Sequence, residues 1–235
     1  MSVDVLAIGA HPDDIEAGAG GVVIALARQG YRVGALDLSR GELGSRGSVA
    51  ERDGEARQAA RVLGVAERLN AGLPDGGIAN TPEQQKAVVR HIRHFQPRII
   101  LAPMNHDRHP DHNAAHDLVR DANFFAGLTE FDAPPPPHRA DIVYGYRVHG
   151  ASAVPEIVID ISEVFEQKME AMAAYRSQFH NPDYDGPATY VASKEFWDSV
   201  RTRASYWGHR IGVEYGEPLF ASLPIGLTTP PGLKE

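Results

Sequence analysis

Two short segments of the chain concentrate side chains that can bind a metal ion or move a proton. Residues 10–16 read Ala-His-Pro-Asp-Asp-Ile-Glu, and residues 106–112 read His-Asp-Arg-His-Pro-Asp-His. Zinc accepts imidazole nitrogen and carboxylate oxygen as ligands, and the chain has no cysteine that could supply a thiolate. The candidate ligands and catalytic groups are His11, Asp13, Asp14, Glu16, His109, Asp111, His112 and His116.

A metal-dependent hydrolase needs more such groups than the metal itself binds. Three of them hold the ion, a carboxylate removes a proton from the attacking water, and an imidazole stabilises the oxyanion or protonates the leaving group. Spacing alone does not assign these roles. Taken singly, either segment could also be a polar loop, because aspartate and histidine are common in turns and an aspartate pair can cap a helix.

The elements around the two segments predict that they meet. Apolar runs at 3–9, 31–38, 68–73 and 98–102 are typical of buried strands, and helical patterns lie between them. This order predicts an α/β fold: a Rossmann-like, doubly wound and mainly parallel sheet with helices on both faces. The two polar segments follow the first and the fourth strand. These strands are neighbours in a sheet of order 3-2-1-4-5, whose ligands bind in the crevice between them.

The second half of the chain is expected to complete the same sheet. Strands at 141–148 and 156–161 could extend it. A helix of about sixteen residues is expected to start at Ser162 or Glu163 and to be ended by Asn181 and the proline after it. A last helix is expected over 193–206.

Length, charge and composition limit the functions that the chain can have. A chain of 235 residues predicts one domain, 1–235, with a substantial core. The formal net charge of −8 argues against a nucleic-acid binder and against a protein of anionic membranes, since both need a basic surface. No stretch approaches the ~20 apolar residues of a membrane helix, and the first residues lack the basic and apolar regions of a signal peptide. We therefore expect a cytoplasmic enzyme with a small-molecule substrate.

Both polar segments resemble the signature motifs of a known enzyme family. His11-Pro12-Asp13-Asp14-Ile15-Glu16 and His109-Pro110-Asp111-His112 are similar to the two motifs of the LmbE-like, or PIG-L, family of zinc-dependent N-acetylglucosamine deacetylases. Further segments resemble the bacillithiol-biosynthesis branch of that family, so that the resemblance covers nearly the whole chain: 37–47, 73–75, 107–112, 160–162, 174–179 and 211–220. The branch implies a Rossmann-like fold and the hydrolysis of N-acetylglucosaminyl-malate to glucosaminyl-malate and acetate.

The resemblance also implies a role for each motif residue. It implies His11, Asp14 and His112 as the zinc ligands and Asp13 as the general base for the attacking water. His109 would stabilise the tetrahedral oxyanion or assist the leaving amine. Ferrous iron could replace zinc, since this ligand set tolerates both metals. The resemblance further suggests a homo-oligomer such as a hexamer.

Four more residues are expected to support the site or to bind the substrate. Arg52 follows the glycine-rich loop 41–47, where the family places an arginine, and its guanidinium could hold a sugar hydroxyl or a carboxylate. A solvated position on the following helix is the alternative for Arg52. Arg108 is a second candidate for a substrate carboxylate. Asp111 is expected to hold an imidazole in place, and Glu16 to support the loop or the helix start.

Other interpretations explain less of the sequence. A phosphorylation-controlled receiver would need a lysine after the fifth strand, and residues 144–149 contain none. A metal-dependent phosphoesterase could use the same histidines and aspartates, and so could a deacetylase of another N-acetylglucosamine conjugate. Gly18, Gly20 and Gly21 do not complete a dinucleotide-binding fingerprint. Outside the motifs, histidines are expected to be structural or peripheral, among them His149, His180 and His209.

Overall fold

The computed structural model of the protein describes residues 2–150, 154–221 and 224–226. Seven strands are present in these ranges: β1 (Val5–Gly9), β2 (Val33–Ser39), β3 (Glu67–Leu73), β4 (Ile99–Pro103), β5 (Ile142–Tyr146), β6 (Ile157–Asp160) and β7 (Gly216–Ala221). The helices are α1 (Asp14–Arg28), α2 (Val49–Leu63), α3 (Pro82–Phe95), α4 (Pro110–Ala126), α5 (Phe165–Ala173) and α6 (Lys194–Ile211). A short 3₁₀ turn, Ser162–Val164, leads into α5.

The strands form one mixed sheet of order β3-β2-β1-β4-β5-β7-β6. The first five strands pair in parallel, and β7 runs antiparallel to both β5 and β6. The expected α/β class and the expected order 3-2-1-4-5 are both confirmed. Strands β1 and β4 are direct neighbours, with Val5 opposite Ile99, so the two polar segments that follow them leave the same edge of the sheet.

Alternate residues of the inner strands pack into separate cores on the two faces of the sheet. Leu6 and Ile8 lie in the core under α3 and α4, whereas Val5 and Ala7 lie in the core under α1, α2, α5 and α6. This is the alternation that a sheet covered on both faces requires. Within the described ranges, no helix is long and apolar enough to span a bilayer.

The far edge of the sheet differs from the expectation. Strands were expected at 141–148 and 156–161, and β5 and β6 lie there, but β7 is inserted between them. A strand interrupted by Glu217 and Pro218 lacks the apolar alternation by which strands are found. Glu217 is nevertheless buried, because the ammonium group of Lys168 pairs with its carboxylate.

The helix expected from 162 onwards ends at Ala173, well before Asn181. Long-range hydrogen bonds replace its last turns. The Ser177 N–H and hydroxyl both donate to the Glu55 carboxylate, at 2.7 Å each, and Arg46 Nε donates to the Ser177 carbonyl at 2.6 Å. Tertiary contacts therefore override a helical pattern that the local sequence continues.

The glycines of α1 have a packing role. Gly18 lies against the ring of Tyr146, whose hydroxyl donates to the Ile8 carbonyl at 2.7 Å, and a Cβ at position 18 would overlap that ring. The close approach of helix and sheet accounts for the glycine without a dinucleotide site.

Candidate active site

The two polar segments meet at the carboxyl ends of β1 and β4. The ring centroid of His109 lies 4.7 Å from that of His11 and 5.0 Å from that of His112. Asp14 lies between the rings of His11 and His112, with Oδ2 at 3.3 Å from His11 Nδ1 and Oδ1 at 3.1 Å from His112 Nε2. Residues that are far apart in the sequence thus form one cluster, as the sheet order requires.

This cluster forms the floor of a cavity of about 290 Å³. Its polar lining residues include His11, Asp13, Asp14, Arg52, Asp75, His109, His112 and His149. An apolar wall faces them, made by Ala17, Leu43, Val148, Phe179, Val191 and Phe196. The volume is about that of a small-molecule site.

Carboxylates fix which nitrogen of each imidazole is free. His11 Nε2 lies 3.1 Å from Asp75 Oδ1 and 3.2 Å from Asp111 Oδ2, so in the neutral form that binds a metal its proton belongs on Nε2 and its lone pair on Nδ1. His112 has the opposite arrangement, because its Nδ1 lies 3.2 Å from Asp107 Oδ1. The lone pairs of His11 Nδ1 and His112 Nε2 therefore both point towards Asp14.

These three donors fit a zinc ion. Zinc accepts imidazole nitrogen and carboxylate oxygen, and the two oxygens of Asp14 lie 3.3 Å from His11 Nδ1 and 3.1 Å from His112 Nε2. A carboxylate behind each imidazole is the usual support of a metal-binding histidine. His11, His109 and His112 also form a compact group, with ligand nitrogens within 4.8 Å of one another. The donor set and its spacing thus suit the ion that the motifs predict.

The electrostatics of the cluster favour a cation. Burial lowers the pKa of His11, but contacts with Asp111, Asp14 and Asp75 outweigh it and raise that pKa to about 12. The pKa of His112 rises to about 9 because Asp14 and Asp107 outweigh its burial. Despite burial, the same two imidazoles hold the pKa of Asp14 well below its usual range. Carboxylates outnumber imidazoles here, which is the imbalance that a divalent cation neutralises.

The Asp13 side chain does not cap α1. It occupies the N-cap position of α1, yet its side chain makes no capping hydrogen bond. Its φ of 110° is strained for a residue with a side chain, and such strain is typical of functional sites. Burial raises the pKa of the Asp13 carboxyl to about 7, although the guanidinium of Arg52, 3.4 Å away, opposes that shift. A carboxylate with a pKa near neutrality is a suitable base.

His109 is oriented by the start of α4. It is the N-cap residue, and its Nδ1 accepts from the Asp111 N–H at 3.3 Å. The neutral ring then carries its proton on Nε2, which makes that atom a hydrogen-bond donor. Burial, together with positive charge on His11 and His112, lowers the pKa of His109 and favours this neutral form.

The two arginines expected to bind substrate occupy different environments. Arg52 is buried, and its guanidinium donates to the carbonyls of Gly41 and Pro12 at 2.8 and 2.7 Å. Gly41 has φ +65°, and a Cβ there would overlap the guanidinium. Arg108 is exposed and lies over the ring of Tyr190, 4.2 Å from its centroid. Substrate contact by either residue stays a prediction.

Glu16 lies beneath the site. It is fully buried and pairs with Arg68, whose guanidinium also makes two 2.7 Å hydrogen bonds to Asp37. This ion-pair network ties the start of α1 to β2 and β3. Asp111 contacts the His11 ring, in line with its expected role, and also accepts from the Gly76 N–H at 2.8 Å.

Three residues near the imidazoles were not singled out from the sequence as site residues. Asp75 and Asp107 are the carboxylates that contact His11 and His112, and His149 stacks on His112 with centroids 5.7 Å apart. All three follow the carboxyl ends of strands, β3, β4 and β5, and this position was the available signal. His180 and His209 do not line the cavity. His116 lines a different cavity, between α4 and the strands β4 and β5.

The profile of the PIG-L family, described as GlcNAc-PI de-N-acetylase, matches residues 6–123. The chain belongs to the PIG-L family. The matched region contains both motifs, so the resemblance that they carry is confirmed at this level. It places the chain among deacetylases of N-acetylglucosamine-type substrates.

The similar proteins include deacetylases that are named for different substrates. The chain is 31% identical to the diacetylchitobiose deacetylase of Thermococcus kodakarensis, over 91% of this chain and 80% of that protein. It is 25% identical to a probable N-acetyl-alpha-D-glucosaminyl L-malate deacetylase 2 of Bacillus cereus, over 76% of this chain and 84% of that protein. The crystal structure of the conserved protein TT1542 from Thermus thermophilus superposes with a TM-score of 0.88 and 35% identity, covering 99% of this chain and 100% of the other.

Proposed function

We propose that the protein is a zinc-dependent amidase that removes the acetyl group of N-acetylglucosaminyl-malate, giving glucosaminyl-malate and acetate. One observation carries the amidase chemistry. Asp13, with a pKa near neutrality, and His109, a neutral donor, line the same cavity as the donor set of His11, Asp14 and His112. A base, a hydrogen-bond donor and a metal site are the three parts that metal-assisted amide hydrolysis requires.

His11, Asp14 and His112 would hold the ion. Bound zinc supplies a Lewis acid that polarises the acetamide carbonyl and makes water more acidic, and ferrous iron suits the same ligands. Asp107, Asp75 and Asp111 keep the two imidazoles in the tautomers that such binding needs.

The chain's own groups then handle the proton and the developing charge. Asp13 accepts the proton of the attacking water, while Arg52 limits the movement of its carboxylate. The Nε2–H of His109 donates to the oxyanion that forms when water adds to the acetamide carbon. When the C–N bond breaks, the proton held by Asp13 goes to the leaving amine, which restores the carboxylate for the next cycle.

An exposed arginine in the second motif segment supports an anionic aglycone. Arg108 is exposed and stacks on Tyr190, which is itself 52% exposed, so its guanidinium is accessible without deep burial. Malate carries two carboxylates that a guanidinium binds well, whereas the second sugar of diacetylchitobiose has no charge for it to neutralise. The higher identity of the archaeal chitobiose enzyme makes that disaccharide the rival substrate.

The direct test is amine release by the zinc-loaded protein and by the same protein after chelation. N-acetylglucosaminyl-malate, N,N'-diacetylchitobiose and free N-acetylglucosamine are compared at equal concentration. Release that needs metal and strongly favours the malate conjugate supports the proposal. Preference for diacetylchitobiose rejects the proposed substrate but keeps the chemistry. No release from any of them, with metal fully bound, returns a phosphoesterase to consideration.

An arginine variant separates substrate binding from catalysis. Arg108→Gln should raise KM for the malate conjugate about tenfold, the equivalent of one charge-assisted hydrogen bond, and leave kcat nearly unchanged. KM for diacetylchitobiose should not move. An equal effect on both substrates would show that Arg108 does not recognise the malate carboxylates.

A further inference from the structure

A second, smaller cavity adjoins the active-site cavity. The two share Ala17 as a lining residue, and the smaller one offers about 30 Å³ to the centres of water molecules, about twice what one water requires. Its wall is formed by α1, α5, α6, β7 and the segment after β5. The residues that line it are Ala17, Gly18, Arg147, Gly150, Lys168, Val200, Arg203, Ala204, Trp207, Gly216, Glu217, Pro218 and Phe220.

Positive charge dominates the lining. Arg147, Lys168 and Arg203 are three cations, and Glu217 is the one carboxylate among the lining residues. Lys168 is occupied, because its ammonium pairs with Glu217 and also donates to the Ala17 carbonyl at 3.0 Å. Glu217 in turn accepts from the Val22 N–H at 2.7 Å. Among the described residues, neither guanidinium forms an ion pair.

Neither arginine has a carboxylate within 4 Å in the described part of the chain. Arg203 makes one hydrogen bond there, from Nη1 to Ser199 Oγ at 3.3 Å, and lies over the Phe196 ring. Arg147 makes one, from Nη1 to the His106 carbonyl at 3.3 Å. Its Nε is buried without a hydrogen-bond partner. Each guanidinium has five N–H donors, so most of them have no hydrogen-bond partner among the residues that the structure describes.

Arg203 stands where an unpaired charge is costly, and Arg147, itself partly exposed, has its Nε buried. Arg203 is largely buried, and this burial lowers its pKa against the weaker attraction of Tyr190, Asp107 and Glu217. A buried cation without a partner destabilises a fold, and a buried unmatched donor adds to the cost. A cavity with two such cations on its wall has the charge and the hydrogen-bond donors that an anion needs.

We propose that this cavity binds a small oxyanion between Arg147 and Arg203. A guanidinium presents two parallel N–H groups to two oxygens, so a phosphate or a carboxylate suits the pair better than a spherical ion does. The cavity holds a single compact group and not a nucleotide. A bound oxyanion would join the segment after β5 to α6 and would stabilise the fold in proportion to its occupancy.

Phosphate binding to the zinc-loaded protein tests the site. Isothermal titration and thermal unfolding are measured with inorganic phosphate, and acetate is titrated in parallel to distinguish a phosphate site from a carboxylate site. Saturable binding with one equivalent, together with a higher unfolding temperature, is expected for one of the two anions. Arg203→Gln and Arg147→Gln should each weaken it at least tenfold, because each removes one of two guanidinium partners.

Two controls keep the result interpretable. Arg210→Gln removes the same charge from an exposed position of the same helix and should bind as the wild type does. Arg203→Lys keeps the charge but lacks the two parallel N–H groups of the guanidinium. It should bind the anion more weakly than wild type and more tightly than Arg203→Gln. Binding that falls equally in the Arg210 variant would show a diffuse charge effect and overturn the proposal.

A crystal soaked in selenate locates the anion. An anomalous peak between Arg147 and Arg203 supports the site. Selenate found at the metal centre alone, or no saturable binding of either anion by the wild type, overturns it. Because the position of the anion is read directly, this outcome is independent of whether the deacetylase substrate is correctly proposed.

Discussion

Replacing Asp107 with asparagine tests how the metal-binding imidazoles are held. Asp107 Oδ1 lies 3.2 Å from His112 Nδ1 and accepts from the His109 N–H at 3.0 Å, while Oδ2 accepts from the His149 N–H at 3.1 Å. Asparagine has the same shape, but one oxygen becomes an NH₂ group. In either orientation of the amide, the NH₂ group faces an N–H group and cannot accept a hydrogen bond from it. At least one contact is then between two donors.

The expected cost follows from how many carboxylates support each ring. Loss of such a partner weakens metal affinity by about 10–100-fold, which is about 1.4–2.7 kcal/mol. His112 Nδ1 has Asp107 alone as a carboxylate contact in the described residues, so Asp107→Asn should fall near the upper end. His11 Nε2 has both Asp75 and Asp111, so Asp75→Asn, the matched control, should cost less than about tenfold.

Zinc affinity is measured by competition with a chromophoric chelator, and circular dichroism checks that each variant is folded. The order expected is wild type tightest, then Asp75→Asn, then Asp107→Asn. Zinc binding by folded Asp107→Asn within about twofold of wild type would refute the argument that this carboxylate fixes the His112 ring. A larger loss of zinc affinity in Asp75→Asn than in Asp107→Asn would refute the argument that the number of carboxylate partners sets the cost.

Three further predictions concern the base, the buried ion pairs and the response to acid. Asp13→Asn should lower kcat by roughly 10²–10⁴ with zinc content unchanged, and near-normal turnover would reject Asp13 as the base. Arg68→Met leaves Glu16 and Asp37 buried without a cation and should lower the free energy of unfolding by about 3–5 kcal/mol in urea titrations, whereas a loss below about 1 kcal/mol would contradict the pairing. Burial lowers the pKa of His149 to about 4; the charge of His112 acts in the same direction, and Asp107 opposes the shift. Between pH 6.5 and 4 the unfolded chain therefore binds a proton at this histidine that the folded chain does not bind. Stability should therefore fall by up to about 3 kcal/mol over that range, and His149→Gln should remove this part of the pH dependence.

The sequence predicted the framework of the site because that framework depends on order along the chain. Alternating strands and helices give a doubly wound sheet, and the sheet brings the ends of β1 and β4 together whatever the loops contain. The motif residues His11, Asp14 and His112 could therefore be expected in one cluster. The match to the PIG-L family model confirms the family, and relatives within it carry different groups on the sugar of their substrates.

The sequence did not predict which side chains contact one another within the site and at the far edge of the sheet. Asp111 contacts an imidazole, that of His11, as expected, but the carboxylate beside His112 is Asp107, which was not singled out. His149 joins the cluster because β5 pairs with β4 and delivers the following loop to the same edge. The position of β7 was hidden for another reason: its buried Glu217 is tolerated only because Lys168, far away in sequence, is placed beside it.

The insertion of β7 between β5 and β6 also has a consequence for how the protein is synthesised. A nascent chain carries both metal-binding motifs long before the last strand emerges, and until then β5 presents an open edge and β6 has no neighbour to pair with. Open edges invite association with other chains. The sheet is therefore sealed only once β7 has been synthesised, so premature termination just before residue 216 should yield an aggregating product.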